Sequence, residues 1–339
     1  MSVRKRQEIQ EVSRSVKRDP AVGLAIFALL IACLGEAVGF PLMKAFTLRS
    51  SLVAPSVSSW FMSAYLLSGR FLLAALVLAC FERKLPSKSE LAQGLWIGGF
   101  AAAGHILQTD GLNWTDASTS AFLTQGYVVV LPVLAAIESR TRPARRLFWA
   151  VTLNLVGLGI LARFDPRSLT LGRGEAETLL AAVLFAGQIF SISRPRYAQN
   201  RTGPVTLVMF LTTGLGALPV AAESGTLIDL GPLAGSIQLW LLLGALTLLS
   251  TLLPFVLMNR YQRHVSSSEA GVIYGAEPVL ASLLALFLPE FLAPIAGVAY
   301  MNESISLRLA LGALLVTLSP FLLRAVASNS VQCTTEHSL

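Results

Sequence analysis

Apolar runs of roughly bilayer length, each bounded by charged or turn-forming residues, follow one another along almost the whole chain. They predict ten helices, at 21–45, 59–81, 92–112, 118–137, 147–163, 176–193, 204–222, 236–258, 268–289 and 307–325, and so an all-α membrane protein. The ninth run departs from plain apolarity. Within SSSEAGVIYGAEPVLASLLALFL, Glu277 stands near mid-helix, where a carboxylate costs several kcal/mol unless it faces a cavity or a partner. Pro278 removes a backbone donor immediately after it, and Gly271 with Gly275 forms a small-xxx-small face. A broken, closely packed, polar helix is expected there.

The fourth run, ASTSAFLTQGYVVVLPVLAA, has a related pattern. Moved forward by 149 positions it pairs Ser118 with Ser267, Ala121 with Ala270, Gly126 with Gly275, Val130 with Val279, Leu131 with Leu280, Leu134 with Leu283 and Ala136 with Ala285. The same shift carries the first, third and fourth helices onto the sixth, eighth and ninth. It then fails by about the length of an extra outer segment, 290–302, after which the fifth helix falls on the tenth. Five helices are an odd number, so a duplicated half enters the membrane the other way up. Two inverted five-helix repeats, 21–163 and 170–325, are expected between a basic tail, 1–20, and a second tail, 326–339.

Composition agrees: 54% of the 339 residues are hydrophobic and 13% charged, against about 25% charged in soluble domains. With the N-terminus inside, nineteen Lys and Arg fall in inner segments, among them Arg83, Lys84, Arg140, Arg142, Arg194, Arg201 and Arg263. Five fall outside, Arg49, Arg163, Arg167, Arg173 and Arg308, and Lys44 and Arg70 lie within helices. That bias puts both termini in the cytoplasm of a multi-pass cell-membrane protein, most simply in a bacterial inner membrane. The net charge of +7 then reflects topology and calls for no nucleic-acid partner.

The five-plus-five design, with GFPLMK in the first helix, AFLTQGYVVVLPVLAA in the fourth and QRHVSSSEAGVIYGAEPVLASLLALFLPE across the ninth, resembles the EamA branch of the drug/metabolite transporter superfamily. The resemblance covers residues 22 to 325. It implies a ten-helix secondary transporter, often an exporter of amino acids or related solutes, with a central cavity between the repeats. Two departures stand out. Where many relatives read Trp-Gly-Ser in the first helix, this chain reads LGEAVGFP, and the acid that closes the ninth-helix region has two candidates, Glu290 and Glu303.

The candidate substrate site consists of Glu36, Arg70, His105, Gln108, Gln125, Tyr127, Gln188, Tyr274 and Glu277. Amides and phenols orient small polar solutes in such cavities. Glu36 and Lys44 share a face about two turns apart without touching. Glu36 either pairs with Arg70 or faces the cavity. Arg70, at mid-helix, suits a bidentate hold on a carboxylate from Glu36, Glu277 or substrate. Lys44 can snorkel to the outer interface. His105 either packs as a neutral group or serves a proton-coupled cycle. Gly35, Gly39, Gly126, Gly271, Gly275 and Pro278 are the packing or gating candidates.

Cys33, Cys80 and Cys333 have neither disulfide nor metal-ligand spacing. No nucleotide loop, nucleophile motif or zinc motif occurs, so no cofactor, metal or enzymatic activity is expected. Protons or another ion, and a second copy of the chain, are partners left open, as are uptake instead of export and a non-transporting sensor. The topology is checked directly by tags. Those after Leu339 and within 82–91 should be cytoplasmic and those near Leu169 and Gly225 external, and an external C-terminus removes the inverted repeat.

Overall fold

A computed structural model describes residues 20–140, 171–265, 267–315 and 317–318, with 149, 152–153, 155–157 and 159–160 between the first two stretches. The basic tail, Arg142, Arg145, Arg146, Arg163, Arg167, Leu169 and everything after 318, including Arg324, Cys333 and His337, lie outside the described residues; so do parts of the fifth and tenth predicted helices. Among the described residues the chain is helical with no strand. Six helices are long and apolar enough to cross a membrane, and a bent pair brings the number to seven. The chain is a multi-pass membrane protein.

In chain order the helices are α1 (Pro20–Val53), α2 (Ser59–Phe81), α3 (Lys88–Gly111), α4 (Ala117–Thr124), α5 (Tyr127–Ser139), α6 (Arg173–Ile192), α7 (Thr202–Gly216) and α8 (Leu218–Ser224). They continue as α9 (Leu230–Ala234), α10 (Ile237–Thr247), α11 (Leu253–Tyr261), α12 (Ser267–Tyr274), α13 (Glu277–Ala285) and α14 (Leu288–Ala296). A π-helical turn, Leu248–Leu252, joins α10 to α11. Residues 307–315 are again helical.

Helix α1 runs well past the expected end at residue 45, because its outer polar residues find protein partners. The Lys44 ammonium donates to the carbonyls of Leu112 (2.5 Å) and Thr115 (3.0 Å), just past the C-terminal end of α3. It therefore binds carbonyls at the negative end of a helix instead of snorkelling. Arg49 donates to Ser236 (3.3 Å) and Gln238 (3.1 Å) at the start of α10. The long helix is the hub on which α10, α11, α12, α13 and α14 pack. Gly35 and Gly39 lie where it meets the π-helical turn. A methyl group on Gly35 would sit 2.5 Å from the Leu249 carbonyl oxygen, and one on Gly39 would overlap the Ser250 hydroxyl.

Helix α3 is not among the six apolar spans, and it lies between α6 and α7. Gly94 and Gly98 let the α7 residues Val208 and Thr212 approach its backbone. Ion pairs tie both of its ends. At the start, Ser87 and Glu90 form a capping box, and Glu90 also accepts from the Arg201 backbone N–H and, bidentately, from its guanidinium at 2.8 to 2.9 Å. At the other end Asp110 meets Arg173 at 2.5 Å, whose guanidinium also reaches Glu177 and stacks over Trp60 and Trp114.

Two expected helices are interrupted. The fourth breaks at Gln125 and Gly126, between α4 and α5, and the ninth at Gly275 and Ala276, between α12 and α13. The expected extra outer segment 290–302 is partly a helix. Its first half forms α14, bent 65° from α13 and ended by Gly297 in the left-handed conformation, φ 62°. Its apolar face packs on α1 and α10. Of the two candidate acids there, Glu290 is exposed. Glu303 turns back, its N–H donating to the Ala285 carbonyl (2.9 Å) and its carboxylate accepting from the backbone and hydroxyl of Ser118.

The Arg201 fork, with the backbone N–H groups of Ser87 and Arg201, holds the Glu90 carboxyl well below its ordinary value of 4.5 against the opposing effect of burial. A depressed folded-state pKa contributes stability that is complete above the ordinary value and is lost as pH falls below it. The melting-temperature gap between wild type and Glu90→Gln should therefore be constant at neutral pH and shrink on acidification below about 4.5. A gap unchanged down to pH 3 would show that ionisation of Glu90 contributes nothing to stability over that range.

Candidate substrate cavity

Helix α1 supplies Cys33 and Glu36 from its middle, and α3 turns His105 and Gln108 towards them. These four residues form one side of a cavity. Phe185, Gln188 and Ile189 of α6, and Phe255 and Met258 of α11, close two further sides. The remaining wall is made by the two helix breaks, with Thr124 and Tyr127 from one and Tyr274 and Glu277 from the other.

Pro278 explains how the breaks meet. It has no N–H, so the Tyr274 carbonyl four residues earlier loses its helical donor. The Gln125 amide takes the place of that donor, giving one hydrogen bond to the Tyr274 carbonyl (3.2 Å) and another to the Tyr127 hydroxyl (3.0 Å). Both breaks tighten in the same way. The N–H groups of Gln125 and Gly126 bond three residues back, to Phe122 and Leu123, and that of Ala276 bonds back to Ile273. Glu277 opens the first turn of α13, where the helix dipole favours its negative charge.

Seven of the nine residues singled out from the sequence thus line one cavity: Glu36, His105, Gln108, Tyr127, Gln188, Tyr274 and Glu277. Gln125 lies behind the wall as the tie just described. Arg70 also stands behind it, and its expected bidentate carboxylate is absent among the described residues. It is 1% exposed, its Nη1 meets the Met43 sulfur at 3.1 Å, and its Nε and Nη2 have no hydrogen-bond partner. Glu36 is near enough to act on it through space without forming an ion pair. His105 sits in an aromatic box, its ring centroid 5.4 Å from Phe71, 4.8 Å from Phe185 and 5.7 Å from Phe255.

The glycines divide by role. Gly271 packs on α5, where a methyl group would come within 2.9 Å of the Leu131 side chain. Gly126 and Gly275 lie in the breaks themselves, so Gly271 and Gly275 do not share one uninterrupted helix face.

Sequence reasoning missed a residue that ties two parts of the cavity lining together. Gln262, fully buried, donates to the Ile189 carbonyl (2.8 Å) and the Ser193 hydroxyl (3.0 Å) at the end of α6, and accepts from the Tyr274 hydroxyl (2.8 Å). A second pocket is lined by Gln93, Ser193, Arg194, Tyr197, Asn259 and Arg263 among others, so the Ser193 hydroxyl bound by Gln262 belongs to its wall. Gln262 stood inside the QRHVSSSEAG stretch, but nothing in the spacing showed that it would tie the end of α6 to Tyr274. The aromatic walls, Phe185 and Phe255, looked like any other apolar helix residues.

No family model matches the chain. An "uncharacterized transporter" of Archaeoglobus fulgidus is 28% identical over 227 residues, 67% of this chain and 69% of that one. A protein of known crystal structure shares the fold, with a TM-score of 0.53 at 16% identity over 87% of this chain and 98% of its own.

Replacing Gln262 with Met keeps the volume but orphans the Tyr274 hydroxyl and the end of α6, at about 1–3 kcal/mol for each buried group left unpaired. Tyr274→Phe orphans only the Gln262 carbonyl oxygen, at about 1–3 kcal/mol for that one group. Melting curves of the purified protein should rank Gln262→Met clearly below Tyr274→Phe. The reverse order would mean that Gln262 is not the shared partner.

Proposed function

We propose that the chain is a secondary transporter that moves a small metabolite across the cell membrane by alternating access around this cavity, acting as an exporter. The observation that carries the reading is the meeting of two broken helices and two acidic side chains at one cavity inside a multi-pass bundle. Broken spans at a central site, with helix ends and freed carbonyls turned inwards, are how secondary transporters build binding sites in a bilayer. Similarity to a protein named as a transporter supports the same class.

The finer architecture proposed is that of the EamA branch: ten helices in two inverted repeats, with both termini cytoplasmic. Thr124 and Tyr274, the last residues of α4 and α12, are 150 positions apart, as are Tyr127 and Glu277, the first residues of α5 and α13. That spacing differs by one residue from the shift that aligns the two sequences. Protons are the proposed coupling ion, with Glu277 or Glu36 as the group that exchanges proton for solute, and no cofactor takes part.

Glu277→Gln tests the reading. The amide keeps the shape and removes the charge, so the protein should insert and melt near normally. Accumulation of labelled solute in everted vesicles should fall about tenfold or more, the worth of one charge-assisted contact. A lower melting temperature with unchanged flux per molecule would make Glu277 structural and leave the cavity without its proposed working group.

A further inference from the structure

The lining of the central cavity is one-sided in charge. Glu36 and Glu277 both face it, and neither Lys nor Arg does. The remaining polar lining is neutral amide or hydroxyl, apart from His105 in its aromatic box. The nearest guanidinium, Arg70, lies behind Phe71, with its charge 5.0 Å from that ring centroid and no carboxylate bound to it among the described residues. With Arg70 counted, two acidic groups stand against one cation, so a solute entering the site meets an excess of acids.

The walls add a second constraint. Phe185, Phe255, Tyr127 and Tyr274 line the same space as the two acids, and aromatic faces attract cations. The Tyr127 hydroxyl already accepts from Gln125, and the Tyr274 hydroxyl donates to Gln262. The two phenols are therefore held in place as walls. Aromatic walls of this kind suit a solute with an apolar body, and among the described residues no three acidic, His or Cys side chains are grouped to hold a metal.

Resting on the transport reading above, we infer that the solute is a small organic amine carried as its cation, with an apolar or aromatic body and no carboxylate. The ammonium lies between Glu36 and Glu277, and the body lies against Phe185 and Phe255. An amino acid suits the site less well, because its carboxylate would enter beside two acids and meet no cation in the lining. The same exclusion applies more strongly to an anion.

The test uses one ring with three charge types: phenethylamine, phenylalanine and phenylacetate, with butylamine and choline as cations lacking the ring. Each is added at about 10 mM to the purified full-length protein in nanodiscs and read by melting temperature, since a ligand of the folded state stabilises it. Phenethylamine should raise the melting temperature in a saturable way, and phenylalanine and phenylacetate should not. Glu277→Gln and Glu36→Gln should each weaken its apparent affinity about tenfold or more, while Glu277→Asp retains the preference for amine.

If the Gln variants do not fold, the ranking of the three ring compounds on wild type still decides. A shift with phenylacetate or phenylalanine equal to or larger than that with phenethylamine overturns the inference, and so does the absence of a shift with any of the cations. Amine binding without accumulation in vesicles would sink the transport reading and leave the ligand class standing. Accumulation of another solute without amine binding would do the reverse.

Discussion

A single missing hydrogen organises the centre of this molecule. Because Pro278 lacks an N–H, the Tyr274 carbonyl is left without its helical donor. A buried, unpaired backbone group costs about 1–3 kcal/mol, and more where no water can reach it. The Gln125 amide fills the gap at 3.2 Å. Gln125 itself stands in the break between α4 and α5, so the repair fastens one broken helix to the other. The same amide fixes the Tyr127 hydroxyl, and a wall of the cavity is set by one side chain.

With the breaks tied, the rest of the site follows from helix geometry. The end of α12 places Tyr274 over Gln262, the start of α13 places Glu277 in a first turn, and α1 runs past both with Glu36 at mid-length. Close approach of α1 requires small residues, and Gly35 and Gly39 meet the π-helical turn where Pro254 further interrupts the ladder. Irregular backbone is confined to places where a neighbouring helix or a side chain supplies the lost bond, as for the Thr251 hydroxyl bonded to the Leu246 carbonyl (3.0 Å).

The apolar runs and the anomalies within them could be read from the chain because they are local. A carboxylate, a proline and spaced glycines in an apolar segment each have a cost that a sequence shows, and most of the polar residues singled out on that basis meet at the cavity. Contacts made by the cost-free residues stayed hidden. Phe185 and Phe255 became visible as walls only once α6 and α11 were placed. The end of α1 was misjudged because Lys44 and Arg49 looked like a helix terminus until Leu112, Thr115 and Ser236 appeared as their partners. Arg70 was the plainest miss. Its permanent charge at mid-helix suggested a carboxylate partner, and it is instead packed between Met43 and Phe71.

The two ends of α3 suggest which parts could move together. Its first turn is bound to Arg201, beside α7, and its last to Arg173, on α6, so ion pairs tie these three helices into one body. Helix α1 with α10 to α14 makes a second body through the π-helical turn and the glycine contacts. The cavity lies between them, with His105, Gln108 and Gln188 from one side and Glu36, Tyr274 and Glu277 from the other. Gln262 bonds to α6 with its amide and to Tyr274 with its carbonyl. It is one of several ties between the two bodies at this end. Asn259 of α11 donates to the Thr206 hydroxyl of α7 (3.0 Å), and the Arg263 guanidinium donates to the carbonyls of Asn200 (3.2 Å) and Ala198, just before α7. The Gln262 and Asn259 bonds are neutral, each worth about 1 kcal/mol net, and those of Arg263 are charge-assisted and stronger. Separating the two bodies here therefore costs the whole set, of which Gln262 is the member that touches the cavity lining.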